Sequence, residues 1–202
     1  MSAAAPATDL VGAVLAGGGS RRLGRDKSAE PVGQARMIDR AVAALRPVCR
    51  EVFVVSSRPD TPQGPWERIP DRLGHGPLAG IEAALAHGEA IGAEAVLVLA
   101  CDLPLVGPDV IVALRDRLGH AHAAAVAREG RPDFEPLCAL YRVSALARAR
   151  DLLADGDSPA HRLFEDLDGI RVQVDGNDLL NVNTERDLER ARDAVARLES
   201  GS

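Results

Sequence analysis

The sequence predicts an α/β fold with a mostly parallel central sheet and a mixed portion toward the C-terminus. Three observations carry this. Apolar runs at residues 10–15, 52–55 and 95–100 are too short for helices and lack polar alternation, the pattern of strands buried on both faces. Segments with helical spacing separate them, giving a β-α-β-α-β-α order that calls for right-handed crossovers. Loops rich in glycine or bearing aspartate follow the strands, and ligands of open parallel sheets bind beyond the carboxyl ends of strands.

Taken in order, the first strand stops at Gly17-Gly18-Gly19, and Met37, Ile38, Ala41, Val42 and Leu45 then repeat at helical spacing. After the second strand a loop with Pro59, Pro62, Pro65 and Pro70 leads to Asp71. A helix is expected over 78–91, and the third strand runs into Cys101-Asp102. Pro108 suits the first position of a helix continuing over 110–118. Residues 123–127, 137–141 and 170–174 read as further strands, with Ser144 and Ser158 as helix N-caps. Thr184 is expected to cap a last amphipathic helix, with Asp187 three residues on as an aspartate version of the capping box. With no linker between the halves, one domain is expected over 1–202, with an ordered core over about 9–197.

The chain has 202 residues and a net charge of −6, which argues against nucleic acid or anionic membranes as partners. Its first 50 residues hold eight basic and four acidic side chains, so a net +4 there leaves −10 elsewhere. That asymmetry suggests a confined anion site. Cys49, Cys101 and Cys138 show no CxxC spacing and read as reduced, mostly buried thiols. Neither a signal peptide nor an apolar run of the ~20 residues needed to span a bilayer is evident, so a cytoplasmic location is expected.

The loop "LAGGGSRRLGRDK", residues 15–27, can ring a phosphate with backbone N–H groups. It is not a Walker loop, because Arg25 and Asp26 separate Gly24 from Lys27-Ser28, and Arg22 stands where a dinucleotide fingerprint needs its third glycine. A glycine turn with solvated arginines is the alternative. Lys27 is the only lysine in the chain, which otherwise uses arginine. An ammonium is a compact point charge where guanidinium is a planar fork, so position 27 suits close approach to phosphate oxygens. The three asparagines, Asn177, Asn181 and Asn183, cluster near the C-terminus. Asn177 suits a turn, while the pair in "NVNT" suits either a structural lock or a ligand contact. Asp102 in "CDLP" is costly to bury unpaired and should meet a cation, magnesium with substrate phosphates being one candidate and a capping role the other. Asp71 is a weaker ligand candidate. His75 is placed in the glycine-rich loop of the site. His87, His120, His122 and His161 read as surface or helix-end residues without metal spacing.

Together these segments resemble the molybdenum cofactor guanylyltransferases (MobA type) of the nucleotidyltransferase superfamily. "LAGGGSRRLGRDK" is similar to that family's LAGGxSxRMGxDK, with Leu23 for Met, and "PDRLGHGPLAGI" to its D…GPLAGI segment. "CDLP" is similar to its metal-binding CDxP, "PLCALY" to PLxALY, and "NVNTERDL" to N[IV]NTPEDL, with Glu185 for Pro and Arg186 for an acid. The match runs in order over roughly residues 10–195. A nucleotide-contacting Asn at the end of strand two, known in some members, has no counterpart in "VVSSR". The resemblance implies a Rossmann-like three-layer αβα nucleotidyltransferase fold. It further implies transfer of GMP from GTP to the phosphate of molybdopterin, with pyrophosphate released, Mg²⁺ as cofactor and contact with proteins that handle the molybdenum cofactor. By position, Leu15, Ala16, Gly17 and Gly18 would bind nucleotide through their backbone. Lys27 and Arg22, with Arg21, would meet the triphosphate, Asp71 the nucleotide, Asp102 the Mg²⁺, and Asn181 and Asn183 the second substrate. A cytidylyltransferase acting on another phosphorylated acceptor and a non-catalytic nucleotide-binding protein are the alternatives.

Overall fold

The computed structural model describes residues 9–17, 26–71, 76–130, 133–156 and 159–200. In chain order its strands are β1 (Leu10–Leu15), β2 (Pro31–Val32), β3 (Ala35–Arg36), β4 (Glu51–Val55), β5 (Arg68–Ile69), β6 (Ala95–Ala100), β7 (Ala123–Arg128), β8 (Phe134–Arg142) and β9 (Ile170–Val174). The helices are α1 (Met37–Leu45), α2 (Gly76–Ala90), α3 (Pro108–Leu118), α4 (Leu146–Ala154), α5 (Ala160–Asp166) and α6 (Glu185–Ser200). Seven strands form one sheet in the order β5-β4-β1-β6-β8-β7-β9, and β2-β3 form a separate hairpin.

The two-residue period of a strand divides the core into layers. Leu10 and Val14 of β1 join Leu97 and Leu99 of β6 beneath α1 and α3, while Val11, Ala13, Val96 and Val98 face α2, α4 and α5. The result is a three-layer αβα arrangement, and every residue of β6 is buried. With almost no aromatics to fill space, helices approach the sheet closely. A Cβ on Gly88 of α2 would lie 2.6 Å from Val96 Cγ2, so only glycine fits that crossing.

β8 enters between β6 and β7 antiparallel to both, whereas the β5-β4-β1-β6 half and the β7-β9 pair are parallel. This is the mixed C-terminal portion that the sequence predicts. β8 starts at Phe134, earlier than the expected 137, because Pro136 falls where the β7-β8 register shifts between Ala125 and Val126. A bulge tolerates a residue that cannot donate to the ladder. Ser144 is not a helix cap: it lies inside a 3-10 turn, Val143–Ala145, and its hydroxyl meets His122 Nδ1 at 3.4 Å. The Ser158 cap falls outside the described residues. Pro108 does occupy the first turn of α3, after Gly107. Thr184 and Asp187 form the expected reciprocal cap, with Thr184 N donating to Asp187 Oδ2 at 3.0 Å and Asp187 N to Thr184 Oγ1 at 3.2 Å. α6 lies over the β2-β3 hairpin, burying Val32, Met37, Val182, Leu188, Ala191 and Val195 in a third small core.

Candidate active site

The parallel strands β1, β4 and β6 end side by side, so the loops after them converge. Ala16 N donates to Val55 O and Cys101 N to Leu15 O, carrying the ladder one residue past β1 and β6. Leu15 is half-buried, Ala16 buried and Gly17 exposed with open space where a side chain would be. Gly18, Arg21 and Arg22 lie outside the described residues, as do Gly74 and His75.

The chain returns at Asp26, whose Oδ1 accepts from Ser28 N at 2.9 Å and Ser28 Oγ at 2.8 Å. That Asx turn starts a 3-10 turn, Lys27–Ala29, and aims Lys27 inward. Lys27 is 8% exposed. Its Nζ donates to Asp102 Oδ2 at 2.7 Å, to Asn183 Oδ1 at 3.1 Å and to Val182 O at 3.4 Å. Residues 75 and 156 positions away in sequence thus meet on one ammonium. Val182 N donates to Asp102 O at 2.8 Å, tying the "NVNT" segment to the end of β6. Asn183 Nδ2 donates to Asn181 Oδ1 at 2.7 Å, which orients both amides on one side of the segment. Of the two readings of "NVNT", the structure displays the lock, and Asn181 also borders a cavity. That cavity, about 860 Å³, has Leu105, Arg128, Asn181, Asp187, Arg190 and Arg197 among its walls. Asn177 sits in a turn capped by Asp175 Oδ1.

Asp71 is half-buried, and its carbonyl accepts from Ser57 Oγ, joining the loops after β4 and β5. It belongs to the same end of the sheet as Asp102. Ser56, 2% exposed, shares a 2.7 Å hydrogen bond with Thr61 Oγ1 and receives Arg58 N, so the segment "VVSSR" is a rigid turn.

Two carboxylates here escaped the sequence reading. For Asp26 a signal existed, the Asx turn that "DKS" can form. For Glu135 none did, because nothing in "DFEP" signals that β8 brings it near Asp102. Burial pushes the Glu135 carboxyl above the usual carboxylate range, the charge of Asp102 adds to this, and Leu137 N and Arg128 oppose it.

Asp102 and the amide oxygens around it are hard oxygen donors, the set that suits Mg²⁺ or Mn²⁺ more than a thiophilic metal. Burial pushes the neighbouring Cys101 thiol far up, which disfavours the thiolate that a thiophilic metal would need. The residues therefore fit a divalent cation. A second group, Glu51, Glu67 and His87, puts three ligand atoms within 4.8 Å of one another. It lies at the start of β4 and the far end of α2, about 13 Å along the strand from the Asp102 end. A cation there would not reach a phosphate beside Asp102. His87 lies in the last turn of α2, a helix-end position as expected, half-buried with its ring meeting Phe53 edge-on at 4.5 Å. The thiols match expectation: Cys49, Cys101 and Cys138 are free and buried. Among the described residues no helix is long and apolar enough to cross a membrane.

Comparison with known proteins places this arrangement. Residues 12–171 match the model of the MobA-like NTP transferase domain. A protein of Mycobacterium avium named "Probable molybdenum cofactor guanylyltransferase" is 32% identical over 202 residues, covering 95% of this chain and 100% of the relative. A protein of the same name from Opitutus terrae is 38% identical over 81% of each chain. The crystal structure of molybdopterin-guanine dinucleotide biosynthesis protein A from Archaeoglobus fulgidus superposes with a TM-score of 0.76 at 25% identity, covering 93% of this chain and 99% of that one. The chain belongs to the MobA-like NTP transferase family and is a nucleotidyltransferase.

Proposed function

We infer that this nucleotidyltransferase transfers GMP from GTP to the terminal phosphate of molybdopterin, forming the guanine dinucleotide cofactor. The observation that carries the reading is the meeting of Lys27, Asp102 and Asn183 at the ends of β1 and β6, in a chain whose relatives bear that name. An oxygen of the molybdopterin phosphate attacks the α-phosphorus of GTP. The bond from that phosphorus to the bridging oxygen breaks, and pyrophosphate leaves with the electron pair. Such chemistry asks a protein mainly for positioning and charge stabilisation.

In this reading the backbone of Leu15, Ala16, Gly17 and Gly18 receives the nucleotide, and Asp71 contacts it from the neighbouring loop. Lys27 and Arg22 offset charge on the β- and γ-phosphates. Asp102 holds Mg²⁺, which when bound supplies positive charge to the phosphate oxygens. Asn181 and Asn183 face the acceptor. Asn181 lines the adjoining cavity, whose walls carry Arg128, Arg190 and Arg197 beside Asp175, Asp178, Asp187 and Asp193. The reading takes residues 1–202 as one domain, acting in the reducing cytoplasm that its buried free thiols suit.

The test is pyrophosphate release from Mg-GTP and from Mg-CTP, each with molybdopterin. GTP-dependent release with the dinucleotide as product is expected. Preference for CTP would make the chain a cytidylyltransferase, and no release with either would leave a nucleotide-binding protein.

A further inference from the structure

Lys27 and Asp102, the residues read here as triphosphate and metal ligands, are engaged with each other. The two side chains are 10% and 19% exposed, so water screens the contact poorly. The contact is also held from behind. Asn183 Oδ1 and Val182 O share the ammonium, and Val182 N binds the Asp102 carbonyl. Asp187 in turn receives Asn183 N at 3.3 Å and Thr184 N at 3.0 Å, which fixes the segment against α6.

A carboxylate already neutralised by an ammonium at 2.7 Å is a poor cation ligand. A divalent ion arriving there meets one positive charge at contact distance and must share the carboxylate with it. A triphosphate alters the balance, because it offers the ammonium several anionic oxygens in place of one carboxylate. The flexible four-carbon stem of lysine permits that exchange, whereas a guanidinium fork would keep both carboxylate oxygens. We propose that Lys27 is a latch on Asp102: it keeps the metal carboxylate engaged until nucleotide triphosphate draws the ammonium away, so that divalent cation and nucleotide bind with positive coupling. Linkage makes the coupling reciprocal, so each ligand raises affinity for the other by the same factor. The empty enzyme then holds little metal, and the cation arrives with, or after, its nucleotide. The inference rests on the nucleotidyltransferase reading of this site.

Binding of Mn²⁺ alone tests the latch without nucleotide or turnover, by the loss of the free Mn²⁺ paramagnetic resonance signal on addition of full-length protein. Lys27→Met is expected to bind Mn²⁺ about 10- to 100-fold more tightly than wild type, within the usual range of site coupling. Lys27→Gln, which keeps a neutral hydrogen bond to Asp102, should show the same direction and serves if the methionine variant fails to fold. The gain should vanish in Lys27→Met/Asp102→Asn, and any Mn²⁺ bound by Glu51, Glu67 and His87 would persist there and be subtracted. Equal Mn²⁺ affinity in wild type and the Lys27 variants would overturn the proposal, as would a gain that survives Asp102→Asn. Failure of the functional reading would look different: wild type would bind neither Mg-GTP nor Mg-CTP, whatever the Lys27 variants do with Mn²⁺.

Discussion

Replacing Lys27 by arginine keeps the charge and changes only its shape, so it isolates what a compact ammonium supplies. Lys27 is 8% exposed, and its Nζ has described acceptors at 2.7, 3.1 and 3.4 Å on two segments, the end of β6 and "NVNT". Those segments are pinned: Val182 by its own 0% exposure and its bond to Asp102, Asn183 by Asn181 and Asp187. Arginine adds two heavy atoms and a rigid plane to a space closed on these sides. Overpacking of this kind costs about 1–3 kcal/mol. For a chain of this length each kcal/mol lowers the melting temperature by roughly 2–4 °C, so a fall of about 2–12 °C is expected. Chemistry should suffer more than stability. A displacement of the order of 1 Å in a positioning group costs about 100-fold in rate. The assay pairs thermal unfolding with kcat/KM for nucleotidyl transfer. A Lys27→Arg enzyme with wild-type melting temperature and rate would show that the position accepts a guanidinium as readily as an ammonium.

Three other outcomes follow from the packing and charge. Gly88→Ala puts a methyl 2.6 Å from the stiff, fully buried Val96, so it should destabilise the fold despite alanine's better helix propensity, with a net loss of the order of 1 kcal/mol in urea unfolding; a more stable variant would contradict the close crossing. Glu135 holds its proton more tightly folded than unfolded, so its contribution is fully present at low pH and is lost as pH rises above 4.5 through its raised folded value. Wild-type stability should therefore fall over that window relative to Glu135→Gln, and parallel urea midpoints for the two proteins would show the carboxyl to be unburied. Burial pushes the Cys49 thiol up to about 12, and Cys101 and Cys138 higher still. A disulfide reagent at pH 8 should titrate none of them in the native protein and all three after denaturation, and fast native reaction would argue against the described core.

The parts of the fold that were legible in the sequence are those where burial is continuous or periodic. β1, β4 and β6 stand out as apolar runs because helices cover both faces, and α1 because Met37, Ile38, Ala41, Val42 and Leu45 make one buried stripe. The β2-β3 hairpin was not legible: each strand has two residues, and Gly33, at φ 65°, makes the turn without an alternating pattern around it. β5 is equally short. The antiparallel insertion of β8 was hidden because strand direction depends on long-range pairing, which local composition does not encode. In the site, Asp102 was visible just past the end of β6 and Lys27 as the lone lysine of the loop after β1. Their contact, and the role of "NVNT" in clamping it, depends on long-range packing: α6 lies on the hairpin, and the segment before it brings Val182 and Asn183 to the end of β6.

Guanylyl transfer at the end of β6 is what the arrangement of Lys27, Asp102 and Asn183 should support. Its most direct measurement is transfer of label from α-labelled GTP to molybdopterin, with magnesium, by wild type and by Asp102→Asn. Wild type is expected to yield a labelled guanine dinucleotide, and Asp102→Asn a rate at least about 100-fold lower, the usual loss when a group that stabilises developing charge is removed. Undiminished transfer by Asp102→Asn would contradict this expectation, and so would a wild-type enzyme that labels molybdopterin from CTP but not from GTP.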